Sequence, residues 1–186
     1  MNTAATSKEE ILEACKAIVA EKGLSALNMR AVAQRCDIAL GSVYNYFGSK
    51  DDLIMAAVES VWQNIFETES YYKQGIAFTE YIKAVFKKIK KGMLKYPDFF
   101  TAHAMSFSGK SKDDARTKMY RYFSLVKEEM LVILQADTAI KNNLFSKDFT
   151  EEDFADFVLT NIIGLLILQR QSSAVLIAGI QKIIYP

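Results

Sequence analysis

The sequence predicts an all-α protein, and three observations support this fold class. Apolar residues recur at three- and four-residue spacing over long stretches, as they do on the buried face of a helix. Only two prolines occur in 186 residues, so little interrupts these patterns. No alternation of apolar and polar residues indicates a strand. Because 51% of the residues are hydrophobic, the chain is long and apolar enough to bury a substantial core.

The N-terminal region predicts a first and a second helix. The first would run from Ser7 to about Lys22 and end at Gly23, a usual residue just past a helix. Asn28 can accept hydrogen bonds from the first free N–H groups of the second helix. The apolar positions of that second helix repeat at helical spacing: Met29, Val32, Ala33 and Cys36.

A third short helix would follow a turn at residues 37–39. It would extend from about Gly41 to Phe47, bury Val43 and Phe47, and direct four polar side chains outward or sideways: Ser42, Tyr44, Asn45 and Tyr46. Two short helices joined by a tight turn form a helix-turn-helix, whose second helix fits the major groove of DNA. Hydroxyl and amide groups can contact phosphates and base edges. The alternative is an ordinary helical hairpin with half-buried tyrosines.

A longer motif favours DNA binding. Residues 41–53 read Gly-Ser-Val-Tyr-x-Tyr-Phe-x-x-Lys-x-x-Leu, preceded by Ala33 and Ile38, and this pattern resembles the DNA-binding domain of TetR-family transcriptional repressors over residues 7–55. The resemblance implies that Tyr44 and Lys50 contact the DNA backbone. It implies further phosphate contacts from Asn28 and Arg30 at the start of the second helix. It also implies that residues of the third helix lie at the groove: Leu40, Gly41, Ser42, Asn45 and Tyr46.

Two positions depart from the family pattern. Asp37 stands where the family usually has Gly, but Asp tolerates a positive φ better than most residues, so the turn can form. Leu40 stands where the family commonly has a polar residue. A leucine cannot hydrogen-bond a base edge, although it can contact a thymine methyl group. The operator sequence is therefore not carried over from the family.

The charge is unusually low for a DNA-binding protein. The net charge is +1, and residues 1–60 contain six Lys or Arg against eight Asp or Glu, a balance of −2. Many DNA-binding proteins are strongly basic. We therefore expect affinity to come from a local cationic face and from two copies of the domain.

Cysteine usage and hydropathy favour a reducing cytoplasm. Cys15 and Cys36 fall on the apolar faces of predicted helices, so we interpret them as small core residues and expect no disulfide. No apolar signal-peptide core follows Met1. The most hydrophobic stretch, residues 162–184, is interrupted by polar residues and is too short in its apolar runs to cross a bilayer.

We assign residues 1–53 to the helix-turn-helix domain and 54–186 to a larger helical domain for effector binding and dimerisation. Thr150 with Asp153 resembles a helix-start capping box. The helices of the larger domain are predicted over residues 50–72 and 78–96, around Phe99 to Phe107, from a cap at Ser111 to about Thr138, over 150–171, and from Ser172 or Ser173 onward.

Aromatic residues are dense between Trp62 and Phe123, and they could line an apolar chamber for a small effector. The candidate lining residues are Trp62, Phe66, Phe86, Met93, Phe100, His103, Phe107, Tyr120 and Phe123. The alternative is a filled aromatic core. His103 could orient a ligand or be a hydrogen-bonded core or surface residue. Effector pockets between these helices are usual in TetR-like proteins.

Two further patterns concern partners. The lysines of the helix over 78–96 form either a solvated face or a surface that attracts DNA or an acidic ligand: Lys83, Lys87, Lys88, Lys90, Lys91 and Lys95. The last two helices are apolar over most of their circumference, which requires burial on more than one side. In TetR-like proteins these two helices of each subunit form a four-helix dimer interface. We therefore expect a homodimer that reads a palindromic operator.

The sequence thus predicts a repressor that a small apolar effector releases from double-stranded operator DNA. The alternative is a helical adaptor that no longer binds DNA. An enzyme is not expected, because the chain has one histidine, no glycine-rich phosphate loop and no Cys/His set at metal-ligand spacing. No cofactor is expected either.

Overall fold

The computed structural model describes residues 6–66, 75–96, 99 and 110–186, without the side chains at 110–116, 118 and 119. This part of the chain is helical and contains no β-strand, as the sequence predicts. Its α-helices are α1 (Lys8–Lys22), α2 (Met29–Arg35), α3 (Leu40–Tyr46), α4 (Lys50–Phe66), α5 (Phe78–Lys95), α6 (Lys110–Ala136), α7 (Glu151–Ile167) and α8 (Ala174–Ile184), with a short 3₁₀ helix at Leu24–Ala26.

The predicted helix starts are confirmed by their capping bonds. The Ser7 hydroxyl accepts from the Glu10 N–H at 3.1 Å, and the Glu10 carboxylate accepts from the Ser7 N–H at 2.9 Å. Thr150 and Asp153 form the same reciprocal pair at the start of α7. The Asn28 side chain caps α2. These caps satisfy N–H groups that have no partner within their own helix.

Two helix ends lie earlier than predicted. Helix α7 ends at Ile167 and not near Gln171, because Gln169 takes a left-handed conformation with φ 52°. The Arg170 N–H then donates back to the Leu165 carbonyl at 2.8 Å and closes the helix end. Helix α6 ends at Ala136, shortly before the predicted Thr138. The predicted continuation of α4 over 67–72, and the predicted helix around Phe99 to Phe107 apart from Phe99, lie outside the described residues.

The chain divides into two compact units, of which the first comprises Met1–Phe66 and Lys91–Met119. Its core contains the apolar faces of α1 to α4, with Ile11, Val32, Leu53 and Trp62 fully buried. Within this unit Gly92 lies against Ile65, since a Cβ at position 92 would be 2.7 Å from Ile65 Cγ1. The predicted domain boundary after Leu53 falls inside α4, and our domain division stays a prediction.

The second unit comprises Glu67–Lys90 and Tyr120–Pro186. The Asp137 carboxylate joins three of its segments, because it accepts from the Phe78 N–H at 2.8 Å, from the Ala139 N–H at 3.1 Å and from the Tyr185 hydroxyl. Phe78 and Phe154 are buried in its core, with ring centroids 5.9 Å apart. No helix in the described part of the chain is long and apolar enough to span a membrane.

Candidate nucleic-acid interface

The turn between α2 and α3 is closed by backbone hydrogen bonds. Asp37 has φ 53°, the positive φ expected where the family usually has glycine. The next residue, Ile38, donates its N–H to the Ala33 carbonyl at 3.0 Å. This bond satisfies a carbonyl at the end of α2 and turns the chain sharply, so that α3 begins at Leu40, two residues later.

Helix α3 has one buried and one exposed face. Val43 is fully buried and Phe47, just past the helix end, is 3% exposed, as predicted. Tyr44 is 50% exposed, Tyr46 is 41% exposed, and Leu40, Gly41 and Asn45 are also exposed, whereas Ser42 is half-buried. The helix therefore presents hydroxyl and amide groups to solvent on a face that two apolar anchors hold in place.

The last turn of α3 is also attached to the start of the chain. The Tyr46 hydroxyl donates to the backbone carbonyl of Thr6, just before α1. The Lys8 ammonium lies 5.7 Å from the centre of the Phe47 ring, a cation–π arrangement. Sequence reasoning missed the Tyr46–Thr6 bond, because its partners are 40 residues apart and any residue can supply a backbone carbonyl.

The predicted phosphate contacts differ in their availability. Asn28 uses both polar atoms of its side chain within the domain, on the Ala31 N–H and the Ala26 carbonyl. Arg30 is exposed. Lys50 is exposed at the start of α4, where Ser49 accepts from the Asp52 N–H at 3.1 Å and so caps the helix. A cation beside a helix N-terminus adds to the attraction that the free N–H groups exert on a phosphate.

An ion pair links α2 to α1. Both terminal nitrogens of Arg35 donate to the Glu21 carboxylate at 2.7 Å. This hydrogen bond lowers the pKa of the Glu21 carboxyl and raises that of the Arg35 guanidinium. The pair joins α2 to α1 and removes one cation from those available to DNA. The sequence offered no signal for it, because the two residues lie on different helices.

The candidate effector residues are placed as follows. Trp62 is fully buried and stacks on Phe66, with ring centroids 5.7 Å apart, while Phe99 approaches its edge at 5.3 Å. Phe86 and Phe123 are buried, Met93 is half-buried and Tyr120 is 56% exposed. Phe100, His103 and Phe107 lie outside the described residues. The effector pocket stays a prediction.

Several lysines of α5 have partners. Lys83 pairs with Glu80 at 2.6 Å, Lys90 donates to the Gln171 carbonyl at 2.9 Å, and Lys95 donates to the Asn64 side chain at 2.7 Å. Burial lowers the pKa of the Lys88 ammonium, although the nearby Glu129 opposes this shift. Lys87 and Lys91 are exposed. Much of this helix face is therefore engaged with the protein itself.

The last two helices carry exposed apolar side chains. Phe157 is 48% exposed and Val175 is 88% exposed, and Leu168 lies exposed just past the end of α7. Between α7 and α8 lies a groove of about 270 Å³, lined by Phe157, Asn161, Leu165, Val175, Leu176, Gly179, Ile180 and Ile183. An exposed apolar strip on two adjacent helices is typical of an interaction surface.

Comparison with known proteins agrees with this geometry. Residues 11–57 match the family model described as bacterial regulatory proteins, tetR family. The chain is 30% identical over 100 residues to the HTH-type transcriptional repressor KstR of Rhodococcus jostii, a match that covers 54% of this chain and 47% of that protein. It is 45% identical over 51 residues to KstR of Mycobacterium tuberculosis, covering 27% and 23%. The matches thus span less than half the length of these relatives.

Solved structures resemble the chain over nearly its whole length. The structure titled BioQ with its natural double-stranded DNA operator aligns with a TM-score of 0.62 and 15% identity, covering 94% of both chains. The multidrug binding protein EbrR, complexed with imidazole, aligns with a TM-score of 0.64 and 14% identity, covering 98% of this chain and 97% of that one. At these identities the likeness concerns the fold. Residues 11–57 thus resemble the tetR family of bacterial regulatory proteins in sequence, and the chain resembles these solved structures in fold.

Proposed function

We propose that this protein is a transcriptional repressor that binds a palindromic DNA operator as a homodimer and is released by a small apolar effector. The observation that carries the proposal is the exposed face of α3. Hydroxyl, amide and apolar groups project there from a helix anchored by Val43 and Phe47, within the segment that matches the tetR family model. KstR, which is 30% identical to the chain over 100 residues, is named as a transcriptional repressor.

The side chains of α3 suit distinct roles on DNA. The Asn45 amide can pair bidentately with an adenine, and Leu40 can contact a thymine methyl group. Tyr44 and Lys50 would bind backbone phosphates on either side, and Arg30 would add a second cation. Phosphate contacts position the domain on the duplex, while base contacts specify the sequence. The Asn28 side chain is committed to capping α2, so we expect its contact with phosphate to be minor.

The groove between α7 and α8 supports dimerisation. A two-fold axis through this surface would bury Phe157 and Val175 of both copies in a four-helix interface. The dimer would then present two α3 helices about 34–36 Å apart, one turn of DNA. Two copies also compensate for the low charge of each domain, since the affinity of the second contact is raised by the first.

Helix α4 is the natural element for coupling an effector to DNA. It begins with Lys50 at the proposed DNA face and ends near Trp62 and Phe66, about 24 Å away for a 17-residue helix. An effector that contacts its far end would release the operator only if it prefers a different tilt of α4, because tight binding without such a preference shifts no equilibrium.

Selection of bound duplexes from a random DNA library tests the DNA-binding part. We expect one recurring palindrome. Asn45→Ala should relax the preference at one base position in each half-site, whereas Tyr44→Ala should weaken binding to most sequences alike. An adaptor that has lost DNA binding would select no recurring sequence, and that result would overturn the proposal.

Sedimentation of two matched variants tests the dimer. Phe157→Glu places a charge in the groove, and Val132→Glu makes the same change at an apolar residue of α6 that is similarly exposed, at 47%, outside the groove. We expect the Phe157→Glu variant to be monomeric and no longer to select a palindromic sequence, and the Val132→Glu variant to remain dimeric. Equal behaviour of the two variants would argue against this interface.

A further inference from the structure

The contact between Tyr46 and Thr6 lies within a small network at the start of α1. The Tyr46 hydroxyl donates to the Thr6 carbonyl. Thr6 is itself held in place, because its hydroxyl donates to the Glu10 carboxylate at 3.1 Å and the next N–H, that of Ser7, donates to the same carboxylate oxygen at 2.9 Å. Glu10 thus forms the capping box of α1 and also holds Thr6, whose carbonyl accepts from the tyrosine hydroxyl.

Helix α3 depends on contacts of this kind. It has only seven residues, and Ala39 at its N-cap makes no side-chain hydrogen bond. Helices this short gain little stability from their own hydrogen bonds, so their orientation is set by packing. The buried anchors Val43 and Phe47 are four residues apart and lie along one line of the helix, which by itself leaves rotation about that line weakly restrained. Tyr46 lies off this line.

We propose that Tyr46 is a positioning residue, which fixes the rotation of α3 against α1 through the Tyr46–Thr6 contact. This inference rests on the proposed function, because its consequence is specificity for DNA. A tyrosine hydroxyl can donate one hydrogen bond, and the Thr6 carbonyl accepts it. The hydroxyl then cannot donate to a phosphate oxygen, so its role is to aim the side chains of Leu40 and Asn45 at base edges.

Tyr46→Phe is the direct test, since it keeps the ring and removes only the donor. We expect the affinity for the selected operator to fall about three- to tenfold, as for the loss of one hydrogen bond. Affinity for unrelated duplex DNA and the salt dependence of binding should not change, because no phosphate contact is lost. Tyr44→Phe is the matched control. If the Tyr44 hydroxyl binds phosphate, its loss lowers operator and non-specific affinity together.

A double-mutant cycle with Glu10 separates positioning from direct contact. Glu10→Ala releases Thr6, so it should lower operator affinity by a similar factor, and the double variant should be no weaker than the weaker single variant. Glu10→Gln should retain most of the affinity, because glutamine can occupy the same capping position. Multiplying losses in the double variant would overturn the inference, and so would a Tyr46→Phe protein that weakens all duplexes alike.

A measurement without DNA keeps this inference distinct from the proposed function. In the free protein, Tyr46→Phe should shift the carbonyl ¹³C resonance of Thr6 and speed exchange of the Ser7 amide hydrogen, with the helical circular dichroism unchanged. Unchanged signals at both residues would overturn the contact. Failure of the wild-type chain to select any DNA sequence would instead overturn the proposed function.

Discussion

Replacing Asp137 by alanine is the sharpest test of what holds the second unit together. The Asp137 carboxylate accepts from the N–H of Phe78 at the start of α5, from the Ala139 N–H, and from the Tyr185 hydroxyl beyond the end of α8. One side chain thus joins three segments that are far apart in sequence. Burial, together with the bond to Asp137, raises the pKa of the Tyr185 hydroxyl, which therefore stays protonated as a donor.

The expected loss follows from the three bonds. The bond at the start of α5 acts as a helix cap and is worth about 1 kcal/mol. The bond from Tyr185 to a charged acceptor contributes about 1.5 kcal/mol, and the exposed bond from Ala139 about 0.5 kcal/mol. Asp137→Ala should therefore lower the free energy of unfolding by about 3 kcal/mol. For a chain of this size, that corresponds to a fall of about 6–12 °C in Tm.

Urea unfolding followed by circular dichroism measures this loss. Tyr185→Phe removes one of the three bonds and should cost about 1.5 kcal/mol in the wild-type chain. Beside Asp137→Ala it should cost clearly less, because the Asp137 partner is already gone and only Thr79 still bonds to the hydroxyl. Asp148→Ala is the control, since Asp148 is an exposed carboxylate in the following loop. The reasoning is refuted if Asp137→Ala costs no more than this control, or if the two losses at 137 and 185 add.

Two further variants test the first unit. Gly92→Ala should lower the free energy of unfolding by about 1 kcal/mol, because a contact of 2.7 Å to Ile65 Cγ1 outweighs the better helix propensity of alanine. In urea unfolding, the same substitution should cost less in a chain that also carries Ile65→Ala. Burial raises the pKa of the Cys15 thiol to about 12. The folded chain therefore keeps a proton that the unfolded chain loses above pH 9. The free energy of unfolding should fall by roughly 1 kcal/mol per pH unit from pH 9 upward. Urea unfolding at several pH values should show a shallower fall for Cys15→Ala.

Local signals made much of the fold predictable. Ser7, Asn28 and Thr150 cap helices as their sequence context indicates, because a cap and the N–H group it accepts from lie three residues apart. The faces of α3 follow equally from spacing, since Val43 and Phe47 are four positions apart and lie on one side. The positive φ at Asp37 could be expected for the same kind of reason, as a requirement of a short turn.

Contacts between distant residues were not predictable. The Tyr46–Thr6 bond and the Asp137 bonds to Phe78 and Tyr185 each join partners at least 40 positions apart. The acceptor on Thr6 and the donor on Phe78 are backbone atoms, which carry no sequence signature. The early end of α7 was missed because the left-handed residue there is Gln169, whereas glycine is the residue that usually marks such an end.

The salt dependence of operator binding measures how many cations contact the DNA phosphates. Among the described residues of the first 60, Arg35 and Lys16 are paired with carboxylates and Lys8 lies over the Phe47 ring. Three cations then remain, of which we place Arg30 and Lys50 at phosphates, whereas Lys22 lies in the last turn of α1 and is not assigned to the DNA face. Hydroxyl and amide contacts release no counterions from DNA. The four cations of a dimer would therefore release the counterions of about four phosphates.

A plot of log K against log salt concentration should therefore have a slope of roughly −4, since each neutralised phosphate contributes about −0.9. Arg30→Gln should make this slope shallower by about 2, because the change occurs in both copies. A slope near −8 for the wild-type chain would mean that further cations reach the DNA. The exposed Lys87 and Lys91 of α5 would be the first to examine, and charge reversal there would reveal whether that helix face takes part in DNA binding.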